Sequence, residues 1–401
     1  MDKRTSTNGN KVLGYIAKRI AVRDPLAEFK EKNMLKKIRW FCLTLCICSV
    51  LAGCNKSSVD VKEKAGEEIV SMEEAEYSFP EKYEKTSDSG KVKFNCELEV
   101  PENIKGQAIS TVDVKGLYSC DREKAWTIFG EGKEIIEKSE IPVNEGRAPE
   151  DYYLFANDEC LDINEGITYG SSNSKYYSSI GARNSNNQVV FEESDVSFKS
   201  GEECITELQK IIDELGYHSE DFIFACYPLN SQTMKNLEEQ YLQEGRLTEE
   251  KRKESWSQED DAYFIYGYQK YEDIPIFHEM MSIARSMAYD TPDNAPVQAI
   301  YSTRGIEILD IGGVYEFEKG EQQVLLKPFE DIAAVVEEKF ENILNDAEYE
   351  VTRAKFYERV YLDEGQKYKA DPIWYFEVVE NNISKSVTLI NAETGKEIFL
   401  Q

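Results

Sequence analysis

Alternating apolar and polar residues predict a strand-rich region between residues 90 and 199. In KVKFNCELEV the apolar residues occupy every second position from Val92 to Val100, which is typical of a strand with one buried face. STVDVKGLYS, DYYLFAN and GITYGSS have the same strand-like character. DREKAWTIFGEGKEIIEKSE instead has helical spacing, interrupted by two glycines. These patterns predict an N-terminal α+β domain over residues 90–199.

From Ser200 onward, a helical pattern followed by strand patterns occurs twice. SGEECITELQKIIDELGY begins with the Ser200–Glu203 spacing of a capping box, has apolar residues at helical intervals and ends at Gly216. A charged insert at 231–257 is predicted to be helical. DAYFIYGYQKYEDIPIFHE and APVQAIYSTRGIEILDIGGVYEFE then predict four strands, with turns at Glu272-Asp273 and Arg304-Gly305.

The second unit begins with PFEDIAAVVEEKFENILND, a helical pattern between Pro328 and Asn345. Its apolar stripe consists of Phe329, Ile332, Val335, Val336, Phe340, Ile343 and Leu344. YEVTRAKFYERVYL and PIWYFEVV follow as strands, and SVTLINAETGKEIF as a closing hairpin that turns at Gly395. The apolar stripe of a helix and the apolar face of a sheet both have to be buried, and each can bury the other. The sequence therefore predicts antiparallel sheets, each packed by a helix. The two modules, 200–326 and 327–401, suggest an internal duplication.

A lipoprotein signal is predicted near the front of the chain. Met34 to Arg39 is a short basic segment, and Trp40 to Leu51 is a continuous apolar run of 12 residues. That length suits a signal peptide and is short for a membrane-spanning helix. The run ends in Leu51-Ala52-Gly53-Cys54, which looks like a bacterial lipobox. We expect residues 34–53 to be removed between Gly53 and Cys54, and Cys54 to carry a diacylglycerol on the outer face of the cell membrane.

Two segments flank this signal. Residues 1–33 precede the basic segment, and we interpret them as a mis-called extension, with Met34 as the true start; a genuine cytoplasmic extension is the alternative. Residues 54–89 are rich in Lys, Glu, Ser and Gly and poor in large apolar residues. That composition predicts a flexible tether.

The charge of the chain disfavours nucleic-acid partners. Residues 1–53 hold 11 of the 47 Lys/Arg and 4 of the 76 Asp/Glu, so 36 and 72 remain from Cys54 onward, a net charge of −36. Such a chain is repelled by phosphate backbones and anionic lipid. We therefore expect no nucleic-acid partner, and membrane attachment through the diacylglycerol on Cys54 alone.

Five cysteines remain beyond the lipobox: Cys96, Cys120, Cys160, Cys204 and Cys226. Their number is odd and their spacing is wide, which excludes a CxxC-type zinc or redox motif. The sequence leaves two interpretations open. One is up to two disulfides, with Cys96–Cys120 as the first pair to test, and the other is five separate buried thiols.

Candidate chemistry is sparse. The chain has two histidines, His218 and His278, and HEMMS at His278 lacks the second histidine of a zinc-binding HExxH motif, since Ser282 stands there. DINEG, from Asp162 to Gly166, has the wrong spacing for a calcium loop. No Walker A, GxSxG or GxGxxG motif occurs. We expect no catalytic residues, no metal site and no cofactor, although carboxylate pairs for glycoside hydrolysis stay open among so many acids.

Tyrosines form the remaining candidate surface. Along one predicted strand, Tyr266 and Tyr268 share a face with Phe264, and Tyr263 and Tyr271 lie on the other. Tyrosine suits contact surfaces for peptides or sugars. The alternative is a half-buried sheet in which only the hydroxyl groups reach solvent.

A family resemblance covers the C-terminal half, Ser200–Gln401. It rests on YGYQKYEDIPIF (Tyr266 to Phe277), PIWYFEV (Pro372 to Val378) and INAETGKEI (Ile390 to Ile398), which resemble extracytoplasmic YycH/YycI-type regulators and PepSY-like α/β modules. In the regulator family such modules restrain a membrane histidine kinase that monitors the cell wall. This chain has a lipobox in place of a transmembrane helix, so no binding residues are carried over. The whole chain also resembles uncharacterised lipoproteins of clostridial-type Firmicutes.

These observations predict a lipid-anchored extracytoplasmic binding or regulatory protein without its own catalysis, in envelope sensing. Its partner would be a protein or a cell-wall-derived molecule. The alternative function is an envelope-associated carbohydrate binder or hydrolase that uses acidic residues and surface tyrosines.

Overall fold

The structure is a computed structural model, and it describes residues 78–104, 106, 108–141, 150–180, 194–279 and 295–400. All of these residues belong to one structural unit, Glu74–Gln401. The predicted lipobox, the predicted signal peptide and residues 1–33 lie outside the described residues. Among the residues that are described, no helix is both long and apolar enough to cross a bilayer.

Seventeen strands and five α-helices occur in this part of the chain. The strands are β1 Lys82–Thr86, β2 Val92–Glu99, β3 Ala108–Leu117, β4 Ile135–Ile141, β5 Glu150–Phe155, β6 Cys160–Ile163, β7 Ile167–Gly170, β8 Phe222–Leu229, β9 Ala262–Tyr271, β10 Ile274–His278, β11 Val297–Ser302, β12 Gly305–Ile311, β13 Tyr315–Leu325, β14 Tyr349–Leu362, β15 Tyr368–Glu380, β16 Ser384–Asn391 and β17 Glu397–Ile398. The helices are α1 Arg122–Phe129, α2 Ser174–Ser179, α3 Gly201–Glu214, α4 Ser231–Gln243 and α5 Phe329–Glu341. The predicted α+β class is confirmed.

Most strands join one sheet, in the order β17-β16-β15-β14-β10-β9-β11-β12-β7-β6-β5-β4. Three further strands attach to its interior: β8 pairs with β9, β2 pairs with β14, and β1 pairs with β2. β3 and β13 form a separate two-stranded ribbon. Strand β14 connects the two halves of the sheet, because it pairs in parallel first with β2 and then, from Glu358, with β10.

Helix α3 covers the first module as the sequence predicts. The Ser200 side chain accepts from the Glu203 backbone N–H at 3.2 Å, and the Glu203 carboxylate accepts from Ser200 N–H at 2.9 Å, so the capping box is present. Gly216 follows the helix with a φ of +92°, as a left-handed C-terminal cap requires. The helix buries Leu208 and Ile212 in a core shared with β8 and β9.

Helix α5 covers the second module, where Phe329, Val336 and Phe340 pack on Phe356 and Trp374 of β14 and β15. One detail of the prediction is wrong. The helix ends at Glu341, and its last two predicted stripe residues, Ile343 and Leu344, lie beyond it; Leu344 is fully exposed. Asn345 therefore does not mark the helix end.

Apart from β3, which pairs with β13, the strands of residues 78–180 add to both halves of the large sheet instead of forming a sheet of their own. β1 and β2 extend the second half through β14, and β4 to β7 extend the first half through β12. β1 lies inside the segment predicted as a tether. DREKAWTIFGEGKEIIEKSE is helical only to Phe129, and its second half is strand β4. Glycines 130 and 132 thus mark a change of element.

The turn residues read from the sequence take the backbone conformations they favour. Glu272 and Asp273 have φ of +46° and +69° between β9 and β10, as the type of turn that joins two twisted strands requires. Gly305 begins β12 with a φ of +96°, and Gly395 turns the closing hairpin with a φ of +71°. These values confirm the predicted hairpin positions.

Gly267 lies where three strands meet closely. A Cβ on it would lie 2.9 Å from Phe224 Cε1 of β8 and 3.0 Å from Val297 Cβ of β11. We expect Gly267→Ala to lower the free energy of unfolding by about 1–3 kcal/mol, because Val297 is fully buried and the Phe224 ring packs against the core. Urea unfolding measures the loss.

The matched control is Gly312→Ala, since a Cβ at Gly312 meets no atom within 4 Å. We expect that variant to stay within about 0.5 kcal/mol of wild type. Equal stability of the two variants would contradict the close packing of β8, β9 and β11.

Candidate interaction site

The predicted anchoring residues are not part of the described structure. Gly53 and Cys54 both lie outside the described residues, so lipidation and cleavage there stay predictions.

The four candidate tyrosines do not form one exposed surface. On β9, Tyr263 and Tyr266 are 0% and 1% exposed, and they belong to cores on opposite faces of the sheet. Tyr263 donates its hydroxyl to Lys199 O at 2.8 Å, a structural bond to the segment before α3. Tyr268 and Tyr271 are half-buried. Tyr263 lies on the opposite face from Tyr266 and Tyr268, as predicted, and the burial of Tyr263 and Tyr266 leaves no contact surface made of all four tyrosines.

The histidines are separated in the fold. His218 is exposed beside Tyr118, and His278 is buried with its ring stacked on Tyr315 at 5.2 Å between centroids. The Asp162–Gly166 stretch is a hairpin loop between β6 and β7, in which Asn164 Oδ1 accepts from Gly166 N–H at 2.8 Å. Within the described ranges, no group of three acidic, His or Cys side chains is arranged to hold a metal ion.

All five cysteines beyond the lipobox are free thiols in the structure. Cys96 and Cys120, the pair singled out from sequence, lie in different cores, which separates them. Burial raises the pKa of each of these two thiols to about 11, so neither is a ready nucleophile near neutral pH.

A buried ion cluster forms around Arg304, in the turn between β11 and β12. Arg304 Nη2 lies 3.0 Å from Asp260 Oδ1, and its Nε lies 2.8 Å from Glu307 Oε1. Lys253 Nζ also reaches Asp260, at 3.1 Å, and Ser302 donates to Glu307 at 2.6 Å. Asp260 and Glu307 are each 2% exposed.

The groups around Asp260 stabilise the ionised form of its carboxylate. Burial alone would raise the pKa of Asp260, but the Ser257 backbone N–H, Lys253 and Arg304 together hold that pKa below its usual value. Arg304 Nη1 donates to Glu259 O at 2.9 Å, and Tyr177 of α2 donates to Asp260 O at 3.1 Å. The charges are engaged with one another, so the cluster ties the β11–β12 turn to the segment around Asp260.

Glu358 is the buried carboxyl without such partners. It lies on β14 opposite Ile276 of β10 and Pro372 of β15, at the first residue that pairs with β10. It is 2% exposed, and its Oε2 has no hydrogen-bond partner among the residues described. Burial, with a smaller contribution from Asp371, raises the pKa of Glu358 to about 8. The group is therefore protonated near neutral pH, as a general acid would be, but its burial keeps it out of reach of a substrate.

Strand β8 is the most unusual surface element, and it was missed by the sequence prediction. Its sequence, FIFACYPL, contains no charged residue, and its only partner among the described strands is β9. Ile223 is 46% exposed, and the following five residues are half-buried. The signal was present, because an aromatic and aliphatic run lies between Asp221 and Asn230, two residues that favour turns.

The other edge strands of the sheet carry charges. β1 has Lys82, Glu84 and Lys85, β4 has Glu137, Lys138 and Glu140, and β17 is two residues long. Charged side chains and short length are the usual protection of sheet edges against pairing with another chain. β8 is eight residues long and has no charged side chain, and only Pro228 near its C-terminal end, which lacks a backbone N–H, interrupts its row of donors.

The comparisons with known proteins identify a shared fold. No family model matches the chain, and the search of curated proteins finds no match. The crystal structure of an uncharacterized protein from Eubacterium rectale ATCC 33656 is similar, with a TM-score of 0.56 and 16% identity, covering 80% of this chain and 94% of that one. The Bacillus megaterium YpeB C-terminal domain covers 71% of this chain and 98% of its own, at 9% identity and a TM-score of 0.30. The chain thus shares the fold of the Eubacterium rectale protein.

Proposed function

We propose that the protein is a lipid-anchored extracytoplasmic binding or regulatory protein, attached to the cell membrane through a diacylglycerol on Cys54. Its folded part would recognise another polypeptide and perform no catalysis of its own, in envelope sensing. The observation that carries the recognition role is the uncharged, partly exposed edge strand β8. The anchor is supported by the lipobox sequence at Leu51 to Cys54, and the regulatory role by the resemblance to YycH/YycI-type and PepSY-like modules.

The alternative, a carbohydrate binder or hydrolase, receives less support from the described residues. Glu358 combines a raised pKa with a nearby acid, Asp371, but it is almost fully buried. Tyr263 and Tyr266 are core residues. Neither feature offers an accessible acid beside an exposed aromatic surface.

The anchor is tested by Cys54→Ala in the native host. We expect wild-type protein in the membrane fraction, labelled by a radioactive fatty acid, and the variant unlabelled and no longer held by the membrane. Cell fractionation with immunoblotting measures both.

Cys96→Ala is the matched control, because it removes a buried thiol from the folded part and leaves the lipobox unchanged. Equal labelling of wild type and Cys54→Ala would contradict the proposed anchor.

A further inference from the structure

We infer that β8 binds an extended, positively charged segment of a partner polypeptide, which adds to the sheet as a further strand. The inference rests on the proposed binding function and names the class of partner. Three observations support it: the position of β8 in its module, the two faces beside it, and the charge around it.

In the second module, the strand equivalent to β8 has partner strands on both sides. β8 is the first strand after helix α3, as β14 is the first strand after helix α5. β14 has β15 on one side, and β2 followed by β10 on the other. β8 has β9 on one side and no described strand on the other. The second module therefore shows an outer strand position filled by strands from elsewhere in the chain, and the first module offers the same position for a strand.

The two faces beside the edge differ in character. On the α3 face, Phe222, Phe224 and Cys226 contact the core under the helix. On the other face, the exposed Ile223 lies opposite the half-buried Tyr268 of β9. An added strand alternates its side chains between these faces. Apolar residues at every second position would extend the Ile223 surface and remove it from water.

The charge near the α3 face is negative. Gly201, the first residue of α3, packs against Cys226, where a Cβ on Gly201 would lie 2.9 Å from the sulfur. Next to that contact are the exposed Asp195, Glu202 and Glu203. Glu220 and Asp221 immediately precede β8 in the chain. Basic residues at the remaining alternate positions of the partner would face these acids.

Charge also decides between a partner and a second copy of the chain. Two copies would each bring a net charge of −29 for the full chain, or −36 from Cys54 onward, so their edges repel each other as they approach. A basic segment is attracted to the same surface, and the attraction raises its rate of encounter. The geometry and charge together favour an extended segment with alternating apolar and basic residues.

The test uses the full-length chain, in which residues 1–53 are retained. The ligand is a short synthetic peptide in which valine and lysine alternate. Fluorescence anisotropy at near-physiological ionic strength measures binding. We expect saturable binding, weakened about tenfold or more by Ile223→Lys, because a lysine on the edge repels the basic peptide and blocks strand pairing. The fully N-methylated peptide, which has the same charge and no backbone donors, should not bind.

The matched control is Ile136→Lys, which changes an exposed isoleucine on the charged edge strand β4 and should leave peptide binding unchanged. Binding that is insensitive to Ile223→Lys or to N-methylation would overturn the inference, since it would reflect charge attraction alone. Sedimentation showing a dimer that Ile223→Lys dissociates would also overturn it, in favour of self-pairing. These outcomes are independent of the fractionation of Cys54→Ala, so failure of the anchor and failure of the strand site are distinguishable.

Discussion

Replacement of Glu358 by glutamine should make the protein more stable than wild type at pH 8, with the advantage disappearing toward pH 4. The pKa of this carboxyl rises from 4.5 to about 8 on folding. Its contribution to stability is complete below the unfolded pKa and is lost as pH rises to the folded pKa, because the unfolded chain ionises while the native protein keeps its proton. Between pH 4 and pH 8 the native state loses about 4 kcal/mol through this group.

The measurement is urea unfolding of wild type and Glu358→Gln across that pH range, followed by tryptophan fluorescence. A buried glutamine amide carries its own cost, but that cost does not change with pH, so the slope of the difference isolates the carboxyl. Glu338→Gln, on the exposed side of α5, is the control for a Glu-to-Gln exchange at a solvated position. A difference for Glu358→Gln no steeper with pH than that of the control would mean that the Glu358 carboxyl is solvated in the native protein.

Arg304→Ala should lower the free energy of unfolding more than any other single substitution of a residue in a surface turn. Arg304→Ala leaves Glu307 with the hydroxyl groups of Ser171 and Ser302, and Asp260 with Lys253 and Ser257, although both carboxylates stay buried. Removing one partner of a buried ion pair costs about 3–5 kcal/mol, because the charge that stays buried loses much of its compensation. Thermal and urea unfolding at pH 7 measure the effect.

Two further variants sharpen this experiment. Arg304→Lys keeps the charge but not the forked donors that reach two carboxylates at once, so an intermediate loss is expected. Arg246→Ala removes an exposed arginine whose ion pair with Glu244 spans 3.3 Å, and it should cost at most about 1 kcal/mol. A loss for Arg304→Ala no greater than for Arg246→Ala would show that the cluster contributes little to the fold.

The elements that sequence predicts well are those whose signals are local. The Ser200–Glu203 capping box and the turn at Glu272-Asp273 depend on residues only a few positions apart. The same applies to Gly395 in the closing hairpin, where the positive φ and the turn lie within one short stretch. Short-range chemistry decides these features, so periodicity and turn residues suffice to find them.

The features that sequence did not predict depend on distant partners. Leu344 continues a helical stripe in the sequence, yet the helix ends three residues earlier, because capping and packing, and not periodicity, decide where it stops. The raised pKa of Glu358 depends on β10 and β15 enclosing it, and nothing within β14 itself indicates that burial. The edge position of β8 depends on which strands pair with it, and no single segment of the sequence determines the order in which strands pair.

The parallel pairing of β14 has a consequence for the order in which the chain folds. β2 ends at Glu99 and β10 at His278, yet both pair with residues 349–362. β2 is thus separated by about 250 residues from its neighbour in the sheet, which makes loop closure a slow step. During synthesis, β2 cannot pair with β14 until about 250 further residues have been synthesised. A break in translation before β14 would therefore leave two open strand edges and an aggregation-prone intermediate.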